Sequence, residues 1–110
     1  GAKRSVVARG VVCWIELEKP RPCVVVSSDD VLSVDVWQTH VVPLTSNLDR
    51  AGLAGNVFLD SAVTGLPRDS VAVPLGLELV DREWLTERVG QLPRPLVDAI
   101  DDGLRSVLSL

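Results

Sequence analysis

Short β-branched runs at regular spacing, Gly/Pro/Asp turn clusters between them and one amphipathic helix at the end predict a mainly β domain. Its architecture is a small, partly open antiparallel barrel with a C-terminal helix. The first run is Gly10 to Leu17, the second Pro22 to Ser27 and the third Gln38 to Leu44. Asn56 to Leu59 is a fourth strand and Ser70 to Pro74 a fifth. Lys19-Pro20, Ser28-Asp29-Asp30, Ala51-Gly52 with Gly55, and Gly65-Leu66-Pro67 supply the turns. Leu77 to Val80 and Thr86 to Gln91 read as further short strands, flanking a helical turn at Asp81 to Leu85 with Asp81 as N-cap. The last element is the plainest. Pro95 suits a first helical turn, Leu96, Ile100, Leu104, Val107 and Leu108 recur at helical spacing, and Asp98, Asp101, Asp102 and Arg105 take the other face. Gly103 sits inside this helix, where it costs roughly 1 kcal/mol relative to alanine. A helix or partner chain packed closely at that point would explain it.

With 110 residues the chain reads as one domain spanning 1–110, residues 1–8 being partly a flexible or tag-derived start. Apolar residues make up 46% and charged residues 24%, the balance of a globular chain and not of a disordered one. No apolar run approaches the roughly 18 residues of a bilayer span and no signal-peptide pattern is present, so a cytoplasmic protein is expected. Cys13 and Cys23 fall in neighbouring strands and read as small buried hydrophobes, with no disulfide required. A single histidine and the lack of a Cys-x-x-Cys spacing give no basis for a metal site, and no cofactor is expected.

The formal charge of −4 argues against a domain that coats nucleic acid electrostatically. The acids are clustered, however, at Asp29-Asp30, Asp81 to Glu87 and Asp98 to Asp102. Arg21, Arg50 and Arg68 are left in less acidic surroundings, which keeps open a local basic groove on an acidic body.

The second and third runs matter most. Arg21 enters Pro22-Cys23-Val24-Val25-Val26-Ser27, and Thr45 leaves His40-Val41-Val42-Pro43-Leu44. The short connection between them returns the third strand antiparallel to the second, so the start of one lies beside the end of the other. A cation and a hydroxyl distant in sequence thereby converge, an arrangement suited to chemistry on a phosphodiester. Guanidinium groups stay protonated near neutral pH, which fits Arg21 for holding phosphate and makes it a poor base. Its competing role is a pair with Glu16 or Glu18. Thr45 either bonds a phosphate or ribose oxygen or caps a turn through Asn47, and Ser46 and Asn47 are either further donors or turn residues. His40 has the ring suited to acid–base work at pH 7, but period-two alternation sets it with Val42 and Leu44, away from Thr45. Trp14 is read either as a core or interface residue or as a base-stacking surface. Trp37 suits a partner surface and Trp84 suits packing.

An ordered set of motifs extends this reading. Arg9-Gly10 opens a strand containing Trp14; Arg-Pro-x-Val-Val-Val-Ser, Pro-Leu-Thr-Ser-Asn, Gly-Asn-Val-Phe-Leu and Gly-Leu-Pro-Arg-Asp-Ser-Val follow, then Arg88-Val89-Gly90-Gln91-Leu92 and the helix from Ala99 to Leu108. From about Arg9 to Leu110 the chain resembles the MazF/PemK family of toxin endoribonucleases. The resemblance implies an SH3-like barrel of the MazF/PemK/CcdB type, a homodimer, a cognate antitoxin and a single-stranded RNA substrate. It also implies metal-independent cleavage to 2′,3′-cyclic phosphate and 5′-hydroxyl ends, with Arg21 and Thr45 catalytic. Ser46, Asn47, Trp14 and Glu16 are the expected RNA contacts.

The chain departs from the family pattern twice. A loop containing Gly-Ser-Glu is missing between the first two strands, where Trp14 to Pro20 leads directly into Arg21. Either Glu16 or Glu18 substitutes for its carboxylate or a loop segment outside this sequence holds the base. Gly76, Leu77 and Glu78 stand where relatives carry Gln-Ile-Arg, so substrate or antitoxin contacts on that strand differ. The alternative function is a non-catalytic, CcdB-like toxin that binds a protein target such as gyrase.

Overall fold

The computed structural model describes residues 7–34 and 36–110. Seven strands form one sheet: β1 (Val11–Ile15), β2 (Arg21–Val25), β3 (Gln38–Thr45), β4 (Val57–Leu59), β5 (Ser70–Ala72), β6 (Glu78–Asp81) and β7 (Leu85–Gln91). Three helices accompany them: α1 (Asp29–Ser33), α2 (Ser61–Thr64) and the terminal α3 (Arg94–Leu108). The spatial order is β4-β5-β3-β2-β1-β7, with β6 also on β3 and every pairing antiparallel. Strand β3 organises the sheet. Its first half pairs with β6 (Gln38 to Val41), its last two residues pair with β5, and β2 covers its other side. The result is a curled half-barrel with its helix at the C-terminus.

The apolar runs are continuous because the curled sheet buries both faces. Val12, Val24, Val42 and Leu44 enter one core with Leu59 and Ile100 of α3. Their neighbours Val11, Cys13, Cys23, Val25 and Val41 enter a second, with Val80 and Leu85. Successive residues thus alternate between two cores and not between core and water, and each fully buried valine contributes about 1.5–2 kcal/mol of transfer free energy. Cys13 and Cys23 are direct cross-strand partners with Sγ atoms 3.8 Å apart, and both thiols are free. The hydrogen bond from this neighbour, together with burial, pushes the Cys23 thiol far above its ordinary range, so it stays neutral and serves as packing.

Helix α3 meets the sheet side at Gly103. A Cβ there would stand 2.2 Å from the Gly55 carbonyl oxygen and 2.8 Å from Pro74. Backbone approach within the chain therefore accounts for this interior glycine. Gly65 serves differently: at φ +81° it ends α2 in the left-handed conformation that favours glycine, and a Cβ would meet the Val89 carbonyl. Arg9 ties the elements together. Its guanidinium donates to the Val26 carbonyl and pairs with Asp101 of α3, and its backbone N–H donates to Asp29 Oδ1 at 3.1 Å.

Several expectations are corrected. Turn segments at Ser28-Asp29-Asp30 and before Gly52 contain single helical turns, and a third, given no assignment from sequence, follows β4; each begins with a side-chain cap. Ser28 Oγ accepts from Val31 N at 3.2 Å, Asn47 Oδ1 accepts from Asp49 N at 3.2 Å, and Asp60 Oδ1 accepts from Ala62 N at 2.8 Å. Asp81 makes no such cap. The turn after it is a tight 3-10 turn, Arg82–Trp84, and its carboxylate accepts instead from Gln38 Nε2 across the β3–β6 ladder. Of the loose start assigned to residues 1–8, residues 1–6 lie outside the described ones, whereas Val7 is buried in the second core. Trp84, assigned to packing, is 39% exposed. Among the described residues no helix is long and apolar enough to cross a membrane.

Candidate active site

Strands β2 and β3 pair with Cys23 opposite Pro43 and Val25 opposite Val41. Continuing this register by two residues sets Arg21 level with Thr45. On the other side of β3, Thr45 is paired with Val71 of β5. The start of β2, the end of β3 and the start of β5 therefore meet along one edge of the sheet. A cleft of about 620 Å³ opens there, within the size range of small-ligand sites and large enough to admit a nucleotide.

Arg21, Thr45, Ser46 and Trp14 all face this cleft, so four of the six sequence-assigned site residues come together. Thr45 has a defined polarity. Its Oγ1 accepts the N–H of Asn47 at 3.1 Å, which occupies a lone pair and leaves the hydroxyl proton to be donated into the cleft. The turn-capping role and the cleft-facing role are thus compatible. Trp14 is half-buried, packing on the first core from one side while forming cleft wall on the other.

Asn47 and Glu16 stand off the wall. The Asn47 side chain is occupied in capping the turn Leu48–Gly52. Glu16 is exposed on the β1–β2 turn, where its N–H donates to the Trp84 carbonyl at 2.7 Å. His40 is also absent from the cleft. It is exposed on β3, with Nδ1 3.2 Å from Ser27 Oγ, while that hydroxyl accepts the His40 backbone N–H at 2.8 Å. The β1–β2 connection is short, with Ile15 paired to Arg21 across it.

Arg50 and Arg68 also line the cleft, and among the described residues no aspartate or glutamate does. The basic groove left open by charge clustering therefore exists on this acidic chain. Chain topology explains it: Arg50 follows β3 by one turn and Arg68 precedes β5, so both stand at the edge where Thr45 emerges. The neighbours Arg68 and Asp69 have separate tasks. Arg68 faces the cleft, whereas Asp69 Oδ1 accepts the Ser61 N–H at 2.8 Å and fixes the start of α2. Gly76, Leu77 and Glu78 lie off the cleft wall.

Residues 8–108 match the family model described as PemK-like, MazF-like toxin of type II toxin-antitoxin system. "Endoribonuclease MazF6" of Mycobacterium tuberculosis is 35% identical over 113 residues, covering 96% of this chain and 99% of that protein. Among solved structures, the Mycobacterium tuberculosis toxin MazF-mt6 superposes with a TM-score of 0.79 at 24% identity, covering 91% of this chain and 97% of its own. A mycobacterial endoribonuclease in complex with its cognate antitoxin gives a TM-score of 0.82 at 19% identity, covering 94% and 96%. At those identities the superpositions speak for the curled half-barrel itself. The match over nearly the whole chain speaks for descent, and the chain belongs to the PemK-like, MazF-like toxins of type II toxin-antitoxin systems.

Proposed function

We propose that this protein is a toxin endoribonuclease that cuts single-stranded RNA at a short sequence in the cytoplasm. The observation that carries the reading is the convergence of Arg21 and Thr45 in one cleft whose other charged wall residues among those described, Arg50 and Arg68, are both cationic. A polyanionic strand is the natural occupant of such a cleft. A protein target of the CcdB kind gives the three arginines no evident task. Bases on a single strand present edges that a duplex hides, which suits a sequence-selective cut.

In the proposed reaction the ribose 2′-hydroxyl loses its proton to solvent as its oxygen attacks the adjacent phosphorus, the bond to the 5′-oxygen breaks, and that oxygen takes up a proton from solvent, leaving a 2′,3′-cyclic phosphate and a 5′-hydroxyl. The Arg21 guanidinium holds the phosphate and stabilises the charge that grows on its oxygens in the phosphorane. Thr45, its oxygen already engaged by Asn47 N, donates its proton in a hydrogen bond to the phosphoryl group. Trp14 offers a face for base stacking and Ser46 a donor to the strand. Asn47 acts by holding the turn, and Glu16, off the wall, is assigned no RNA contact.

The protein works as a homodimer in this reading. The exposed Phe58 on edge strand β4 and Leu75 beside α3 are apolar surface for a second copy. A cognate antitoxin neutralises it by laying an acidic segment in the arginine-lined cleft in place of phosphates. Incubating the protein with a long unstructured RNA in EDTA and mapping ends by primer extension tests the function. Discrete cuts bearing 5′-hydroxyls are expected, and RNA left intact by folded protein would refute it.

A further inference from the structure

Arg50 belongs to none of the motifs that mark the catalytic pair, yet its backbone is held in place. It sits in the 3-10 turn Leu48–Gly52, capped by the Asn47 side chain. Its own N–H donates to the Asn47 carbonyl at 3.2 Å. Its carbonyl accepts from Leu53 N at 3.2 Å and from Asn56 Nδ2 at 2.9 Å. The backbone of Arg50 is thus pinned from both sides, and through Asn47 N it is linked to the hydroxyl of Thr45. The guanidinium, by contrast, is unspent. Among the described residues the carboxylate-paired arginines are Arg9 and Arg105, and no hydrogen-bond acceptor is engaged by the side chain of Arg50. A planar fork of five donors on a fixed turn, facing a cleft that no described acid lines, matches phosphate oxygens.

Arg50 enters the cleft from a different element than Arg21 and Thr45 do. Continuing the β2–β3 register sets Arg21 level with Thr45, whereas Arg50 lies past the end of β3, on the turn Leu48–Gly52. Resting on the ribonuclease reading above, we propose that Arg50 grips a phosphate flanking the scissile one and so sets the register of the strand against Arg21 and Thr45.

The test is steady-state cleavage of a short single-stranded RNA by wild type, Arg50→Ala, Arg50→Lys and Arg105→Ala over a range of salt concentrations. Arg105, paired with Asp102 on the exposed face of α3, controls for net charge alone. For Arg50→Ala we expect KM to rise about tenfold with kcat held within about twofold, and the log–log salt slope of binding to become shallower by about 0.7. Arg50→Lys should restore most of the slope, and Arg105→Ala should leave it unchanged. A single neutral methylphosphonate at the flanking position should weaken wild type to the same extent and weaken Arg50→Ala no further. Wild-type cleavage with an unaltered KM and slope in Arg50→Ala would overturn the proposal and leave the ribonuclease reading standing. An equal slope change in Arg105→Ala would also overturn it. Failure of wild type to cut any RNA would remove both readings, beginning with the ribonuclease.

Discussion

Arg21→Ala should lower the single-turnover rate of RNA cutting at saturating RNA by about 10²–10³-fold, the usual loss when one donor to a developing oxyanion is removed. The reason is positional. Arg21 is the first residue of β2, held level with Thr45 by a ladder that is buried on both faces from Cys23 onward, so its charge meets the phosphate with little reorganisation. Arg21→Lys should recover only part of the rate, because an ammonium keeps the charge and loses the bidentate fork. Thr45→Val removes the donated proton and the acceptor for Asn47 N together, and it should cost a comparable factor. Arg21 is exposed and unpaired among the described residues, so thermal unfolding of Arg21→Ala should match wild type. A rate within a few-fold of wild type would remove Arg21 from the chemistry.

A large effect on stability is expected at Gly103. On an open helical face, alanine in place of glycine would stabilise by about 1 kcal/mol. Here the added Cβ would fall 2.2 Å from a backbone oxygen of Gly55 and 2.8 Å from the Pro74 ring, and neither is the end of a flexible side chain. Helix α3 must move away, opening the core that Ile100 closes against Val12, Val24 and Leu59. Overpacking of this kind costs about 1–3 kcal/mol, and a direct backbone collision places Gly103→Ala at the upper end after the propensity gain. The expected fall in Tm is of order 10 °C for a domain near this size. Unchanged or raised stability would show that α3 is not seated on Gly55 as described.

The strands were legible because the curled sheet asks for uninterrupted β-branched runs: Val24-Val25 and Val41-Val42 send successive side chains into two cores. The terminal helix was legible because its apolar face repeats over fifteen residues and its one anomaly, Gly103, marks a contact. The meeting of Arg21 with Thr45 followed from one local antiparallel pairing, the kind of relation a sequence encodes through strand lengths and the connection between them. Charge clustering left a basic groove of Arg21, Arg50 and Arg68 open but did not show the contacts that bring Arg50 and Arg68 to this edge. Arg68 reaches it because β5, and not β4, lies beside the end of β3, a non-local choice unseen in the spacing. Arg50 reaches it because Asn47 caps a 3-10 turn where the residue types allow several turn forms. The departure of Glu16 and Asn47 from the wall has the same origin, since backbone and capping bonds settle their orientation locally. For α1 and α2 the cap residues Ser28 and Asp60 were the available signal, and the helices are too short for periodicity to show.

In the proposed reaction this cleft holds a ribose hydroxyl in place for attack on its own phosphodiester. The most direct test of this reaction is a matched pair of short RNAs carrying one mapped cut site, all-ribo in the first and with a single 2′-deoxy nucleotide on the 5′ side of the cut in the second. The protein should cut the first to a 5′-hydroxyl end, and should bind the second with similar affinity while leaving it whole. Cutting of the deoxy strand at the same bond would contradict the account.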